Sequence, residues 1–345
     1  MPVVVGLILA LLTAAAATAD ESYARPFTYA DPQPQAYAFS ARASEIDPRV
    51  KSHPELNFPL ERDGRPRDQE SAYVDTRVPP RGKLVLALTG GGPLFRLTKE
   101  LGMHAIRVPY ADGWFSLFPK GTPRETWRGD IRLEAATGED FSELVDIPRP
   151  DGLMERSFQF VKWLAAKHPQ GKWEYFIDAA GTGLNWEDVI VVGLSHGSTT
   201  AARFAQYKKL DRVLCFSGPR DQDQSWQKLP SATPSNRYFM FTGFDRGWGA
   251  KHYCRSWELL GLHEHGPIVD VETTPPPYGD TRRLITSIEP AGSKAIHNAV
   301  APSDLALKKE GRFVHEPVWR YMLTHPVDAV GAATPLDPDC RVQDR

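Results

Sequence analysis

Asp188-Val189-Ile190-Val191-Val192-Gly193-Leu194-Ser195-His196-Gly197-Ser198-Thr199 is the stretch whose reading decides the fold. After Asp188, residues 189–192 are an apolar, β-branched run too short for a helix, as expected of a strand buried on both faces. Residues 199–209 then read as a helix. Between them lies Gly193-Leu194-Ser195-His196-Gly197, a G-x-S-x-G turn. Such a turn holds its central residue in strained backbone geometry, while small neighbours let strand and helix approach until the serine hydroxyl stands clear. The pentapeptide alone is a weak signal. Its place between a buried strand and a helix makes Ser195 a candidate nucleophile.

Working outward, strand and helix signals alternate. Leu84-Val85-Leu86-Ala87-Leu88 is a second continuous apolar run and feeds Thr89-Gly90-Gly91-Gly92-Pro93. Residues 95–101 read as a short helix and 105–109 as a strand. An amphipathic helix is expected over 153–167, strands over 212–216 and 237–242, a helix over 248–262, and a strand over 268–272. A long loop through Pro275-Pro276-Pro277 to His297 follows. Such alternation implies βαβ units, a mostly parallel central sheet with helices on both faces, and function at the carboxyl ends of the strands.

A nucleophilic serine that attacks a carbonyl needs donors for the oxyanion. The turn supplies the backbone N–H of His196, and the glycine-rich turn supplies a second at Gly92 or Gly91, since Pro93 has no N–H. A nucleotide-binding loop is the rival reading of those glycines. Neither G-x-G-x-x-G spacing nor a Walker lysine supports it.

These segments, with Trp173-Glu174-Tyr175-Phe176 and Arg212-Val213-Leu214-Cys215-Phe216-Ser217-Gly218-Pro219-Arg220-Asp221, resemble the α/β-hydrolase superfamily over residues 83–322, and within it a group of secreted bacterial serine hydrolases. Leu194 and His196 stand where many relatives carry His and Gln. The resemblance implies an α/β-hydrolase fold and a serine, acid, histidine order along the chain. Loop position makes Asp245 the leading acid, with Asp221, after the preceding strand, as the alternative. His297 is the expected base, and His315 and His325 are rivals downstream. The implied activity is hydrolysis of an ester, with amide or thioester hydrolysis, acyl transfer, or a catalytically silent binding fold as alternatives. No cofactor is expected.

His263-Glu264-His265 reads as a solvated loop, and no metal site is expected. Trp114, Phe115, Phe118, Trp127, Trp226 and Trp248 fall near loops at the presumptive site, with core packing as their default role and substrate lining as the lesser one.

The ends add a compartment. An apolar run closes on Ala17-Thr18-Ala19 before Asp20, the pattern of a signal peptide over residues 1–19, although no Lys or Arg precedes it. Cleavage would leave a secreted or periplasmic protein without a stable membrane anchor. Residues 20–82 are Pro-rich and read as loop with two edge strands, residues 83–330 as the catalytic domain, and 331–345 as a tail. Of three cysteines, Cys215 lies in an apolar strand and reads as a buried thiol, which leaves Cys254 and Cys340 as a disulfide or as two unpaired thiols. Across 345 residues, 41 Lys and Arg nearly balance 43 Asp and Glu, so no global field favours nucleic acid as a partner.

Overall fold

The computed structural model describes residues 26–117, 127–221, 224–243, 249–288 and 293–340. The signal segment, Phe118, Asp245 and Trp248 lie outside the described residues.

The centre is a sheet of nine strands: β1 (Ala36–Arg42), β2 (Gln69–Asp75), β3 (Leu84–Ala87), β4 (His104–Arg107), β5 (Val189–Leu194), β6 (Arg212–Phe216), β7 (Tyr238–Gly243), β8 (Ile268–Asp270) and β9 (Arg283–Thr286). Their spatial order is β1-β2-β4-β3-β5-β6-β7-β9-β8. Pairings from β4 to β8 are parallel, and β2 alone runs against the rest. The chain winds outward from β3 in both directions, so a crevice opens where the order reverses, between β3 and β5. This is the α/β-hydrolase fold.

The seven helices that matter are α1 (Gly92–Glu100), α2 (Trp127–Thr137), α3 (Leu153–Lys167), α4 (His196–Tyr207), α5 (Gly249–Leu259), α6 (Ser293–Ala299) and α7 (Glu316–Thr324). Strand alternation divides the interior into two cores. Val189 and Val191 join Phe160, Leu164, Phe204 and Trp257 on one face, while Ile190 and Val192 join Leu94, Leu97, Trp319 and Met322 on the other. That two-sided burial is why the central strands lack polar alternation.

Helix α3 occupies the residues expected of it. It stops at His168 because Pro169 follows and disfavours the helical region for the residue before it. Three expectations need correction. The segment 26–82 is less loop than composition suggested: besides a short hairpin of Glu61–Arg62 with Arg65–Pro66, it supplies two strands to the central sheet, of which only β1 is an edge, because β2 pairs with β1 and β4 at once. The stretch expected to be loop as far as His297 contains β9 and the start of α6, which carries His297. Its strand was hidden by Arg282 and Arg283, both buried, whose guanidinium groups donate to backbone carbonyls including those of Asn236, Val327 and Gly266. Finally, Leu262–His265 is a 3-10 turn in which His265 bonds Ser235 Oγ at 2.8 Å, so His263 and His265 are half-buried rather than solvated.

Cys254 and Cys340 form a disulfide that spans 86 residues, and Cys215 is a buried free thiol.

Candidate active site

The site begins at the end of β5. Ser195 has φ 56° and ψ −114°, a left-handed conformation that costs a non-glycine residue on the order of 1–3 kcal/mol and persists only where the surroundings enforce it. Those surroundings are specific. Ser195 N–H donates to Phe216 O on β6 at 2.9 Å, and Ser195 O accepts Ser198 Oγ at 2.7 Å and Thr199 Oγ1 at 3.0 Å. Thr89, just past β3, accepts the N–H of Leu194 through its hydroxyl. A Cβ on Gly193 would lie 2.3 Å from the Gly197 carbonyl carbon, so strand and helix meet only because that position has no side chain. The serine is thereby presented at the start of α4, where unpaired N–H groups and the helix dipole favour negative charge.

Beneath the elbow lies an arginine with no signal in the sequence. Arg132, on α2, is 1 % exposed and forms a two-pronged pair with Asp221, Nε to Oδ2 at 2.9 Å and Nη2 to Oδ1 at 2.7 Å. Its Nη1 donates to Thr200 Oγ1 at 2.9 Å and to the His196 carbonyl at 3.2 Å, and lies 3.2 Å from His196 Nδ1. Burial first, and the charge of Arg132 second, hold His196 well below the usual histidine range, so its ring is neutral. That ring packs edge-on to Trp114 and Phe115, at centroid distances of 5.2 and 5.0 Å.

Asp221 also accepts Trp226 Nε1 at 3.0 Å. Both its oxygens therefore face Arg132 and the indole. In chain order β7 is the second strand after the elbow, and it ends at Gly243.

His297 sits on α6, after β9, and is half-buried. Two contacts fix α6 against the carboxyl ends of β6 and β7. Ser217 Oγ donates to His297 O at 2.8 Å, and Gly243 lies so close to Ile296 that a Cβ there would be 2.0 Å from Ile296 Cγ1. Ser217 directly follows Phe216, the residue that accepts Ser195 N–H, so one strand end touches both the Ser195 backbone and the His297 backbone. Arg220 Nη1 lies 3.2 Å from each ring nitrogen of His297. The rivals point elsewhere: His315 lies 3.3 Å from Thr286 Oγ1 and 3.5 Å from Glu272, and His325 contacts Ala329 O at 3.1 Å and Asp280 at 3.2 Å.

At the glycine-rich turn, α1 starts at Gly92, with Pro93 in its first turn. Gly91 N–H is directed at Pro302 O, 3.4 Å away. The Asp304 carboxylate lies over this turn, 3.4 Å from where a Cβ on Gly91 would be. Of the described aromatics, Trp114, Trp127 and Trp226 are buried and Phe115 is 53 % exposed, so packing accounts for the first three.

No family model matches the chain, and no curated protein matches it. Among solved structures, esterase 2 of Thermogutta terrifontis phosphorylated by paraoxon superposes with a TM-score of 0.35 at 10 % identity, covering 83 % of this chain and 90 % of that one. A dienelactone hydrolase from Klebsiella pneumoniae gives 0.33 at 11 % identity, covering 74 % and 86 %. Esterase B from Lactobacillus rhamnosis, inhibited by a tributyrin phosphonate, gives 0.30 at 12 %, covering 63 % and 68 %. The strand order of the sheet and the strand-elbow-helix around Ser195 define the fold.

Proposed function

We propose that the protein is a serine hydrolase that cleaves carboxylic esters through an acyl-enzyme on Ser195. The observation that carries the reading is the left-handed backbone of Ser195 at the end of a buried parallel strand, at the first turn of a helix. Such strain is retained where it serves to expose a nucleophile. In this scheme His297 takes the hydroxyl proton as Ser195 Oγ attacks the carbonyl, and the oxyanion is held by the N–H groups of His196 and Gly92. His297 then protonates the leaving alcohol, and water repeats the sequence on the acyl-enzyme. Asp245 orients the imidazole. Asp221, held by Arg132 and Trp226, serves as a buried counter-ion. The scheme uses no cofactor.

We place the reaction outside the cytoplasm, with the mature chain beginning at Asp20; the Cys254–Cys340 disulfide supports an oxidising compartment. Mass spectrometry of the native protein checks this, and an intact Met1 or Pro2 refutes it.

A fluorophosphonate probe should label Ser195. Ser195→Ala should abolish labelling and lower ester turnover by about 10³-fold or more, because the triad acts as a unit. Asp245→Asn should cost about 10⁴ in kcat by favouring the wrong imidazole tautomer. Activity of Ser195→Ala equal to that of the unmodified protein on a short-chain ester refutes the assignment, and retention of activity by Asp245→Asn moves the acid elsewhere.

A further inference from the structure

Beside the elbow, at the carboxyl ends of β3 and β4, a cavity of about 480 Å³ opens between those strands and the segment that precedes β2. Its volume falls within the range of small-molecule sites. Two residues tie it to the nucleophile. Leu88 lines it, and a Cβ on Gly197 of the elbow would meet Leu88 Cβ at 3.5 Å, so this side chain is a wall shared by cavity and elbow. Tyr110 lines it too, and its hydroxyl pairs with Thr200 on the helix that the elbow starts.

The charge of the cavity is one-sided. Arg62, Arg67 and Arg107 line it against a single acid, Asp112. Elsewhere the exposed guanidinium groups of Arg49, Arg77, Arg96 and Arg320 each rest on a carboxylate, while Arg65 and Arg312, exposed and without an ion pair among the described residues, lie outside the cavity lining. The three cavity arginines form no ion pair among the described residues. Arg62 donates to the Asn57 side chain, and Asp112 acts on Arg107 only through space. With a formal net charge of −2 on the whole chain, this local excess of cations is not a general property of the surface. Guanidinium forks match the planar oxygen pairs of carboxylates and phosphates, and a partly enclosed cluster strengthens such contacts relative to open water.

The geometry points to a subsite for an anionic oxyacid group, a carboxylate or a phosphate, carried by the substrate: Arg67 and Arg107, with Arg62 beside them, hold that group while the scissile ester lies at Ser195. The turnover arm of the test rests on the serine-hydrolase reading, whereas the binding arm does not.

Two esters matched in length separate the terms, 4-nitrophenyl hexanoate and the mono-4-nitrophenyl ester of adipic acid. The protein should prefer the adipate ester in kcat/KM. Arg67→Ala and Arg107→Ala should each lower the adipate-to-hexanoate ratio by about tenfold, mainly through KM on the adipate ester, as loss of a charge-assisted hydrogen bond requires. A ratio that is the same in the unmodified protein and both variants, with hexanoate hydrolysed, overturns the subsite and leaves the hydrolase reading intact. If neither ester is cleaved and the probe does not label Ser195, the hydrolase reading fails and calorimetry decides the subsite. The folded Ser195→Ala protein is titrated with adipate and with inorganic phosphate, alone and with Arg67→Ala and Arg107→Ala combined. Heat with either anion that is lost in the combined variant supports the site, and which anion gives it names the oxyacid. No heat with either, or heat that survives the combined variant, overturns the inference.

Discussion

Arg132 and Arg67 are the same residue type on two sides of one elbow, and they differ in every respect that decides what an arginine does. Arg132 is 1 % exposed, and its donors are engaged by Asp221, Thr200 and the His196 carbonyl; Arg67 is exposed and meets no carboxylate among the described residues. A guanidinium whose donors are all satisfied inside the fold fixes its neighbours and can bind nothing else. One whose donors face a cavity is available to a ligand. The first kind makes an elbow rigid, and the second gives it a preference.

The contrast breaks most decisively at Arg132. Arg132→Met should destabilise the protein by about 3–5 kcal/mol, because it strands the carboxylate of Asp221 in the interior. Adding Asp221→Leu should restore part of that loss, since an apolar pair carries no unpaired charge. Chemical denaturation of the two variants checks both, and a single variant within 1 kcal/mol of the unmodified protein, by the same scale of about 3–5 kcal/mol for a broken buried pair, would place Arg132 among the dispensable arginines.

A smaller effect sharpens the contrast along one strand, β4, which runs from an enclosed His104 to an exposed Arg107. Burial pushes His104 down to about 4 despite its hydrogen bond to Gly171 O, and burial likewise pushes His252 down to about 4. Both are therefore neutral in the native state below the pH at which an unfolded histidine takes up its proton. The unfolded chain binds more protons between pH 6.5 and about 4, so the contribution is present in full above 6.5 and lost as the pH falls through that window. For His104 the loss should be about 3 kcal/mol when complete. Denaturation midpoints measured from pH 7 to pH 4 should fall accordingly, and a flat profile contradicts the burial of the ring.

The smallest effect lies at the other end of the comparison. Arg67→Ala should change stability by less than about 0.5 kcal/mol, as expected for an exposed side chain with no ion-pair partner among the described residues. A loss above about 2 kcal/mol, the scale of a broken buried contact, would show that Arg67 is built into the fold after all.

The parts of the molecule that were legible in advance are those in which local chemistry and tertiary position agree. The run Val189 to Val192 is apolar because both faces are covered, and the glycine at 193 is there because Gly197 comes so close, so strand, turn and helix are visible together. Leu153–Lys167 is equally plain, since its apolar stripe meets the core and a proline stops it. Legibility fails where polar residues are buried by partners far along the chain. Arg282 and Arg283 disguise β9 because their carbonyl acceptors are supplied by other segments. Arg132 and Asp221 stand 89 residues apart, and neither carries a local mark of its partner. The three cavity arginines are invisible for a different reason: segments separated in sequence meet only once β2 and β4 have paired.

The disulfide described with the fold has a consequence for how the protein survives cleavage. Its closed loop of chain, from Cys254 to Cys340, contains α6 and therefore His297. In the chain-entropy model a loop of that length removes about 4–5 kcal/mol of freedom from the unfolded ensemble. A protease that cuts once at an exposed turn inside it cannot release the histidine-bearing fragment, because both pieces stay tethered at the bridge. The nicked protein would run as a single band without reductant and as two bands with it, keeping His297 attached to the body that carries Ser195.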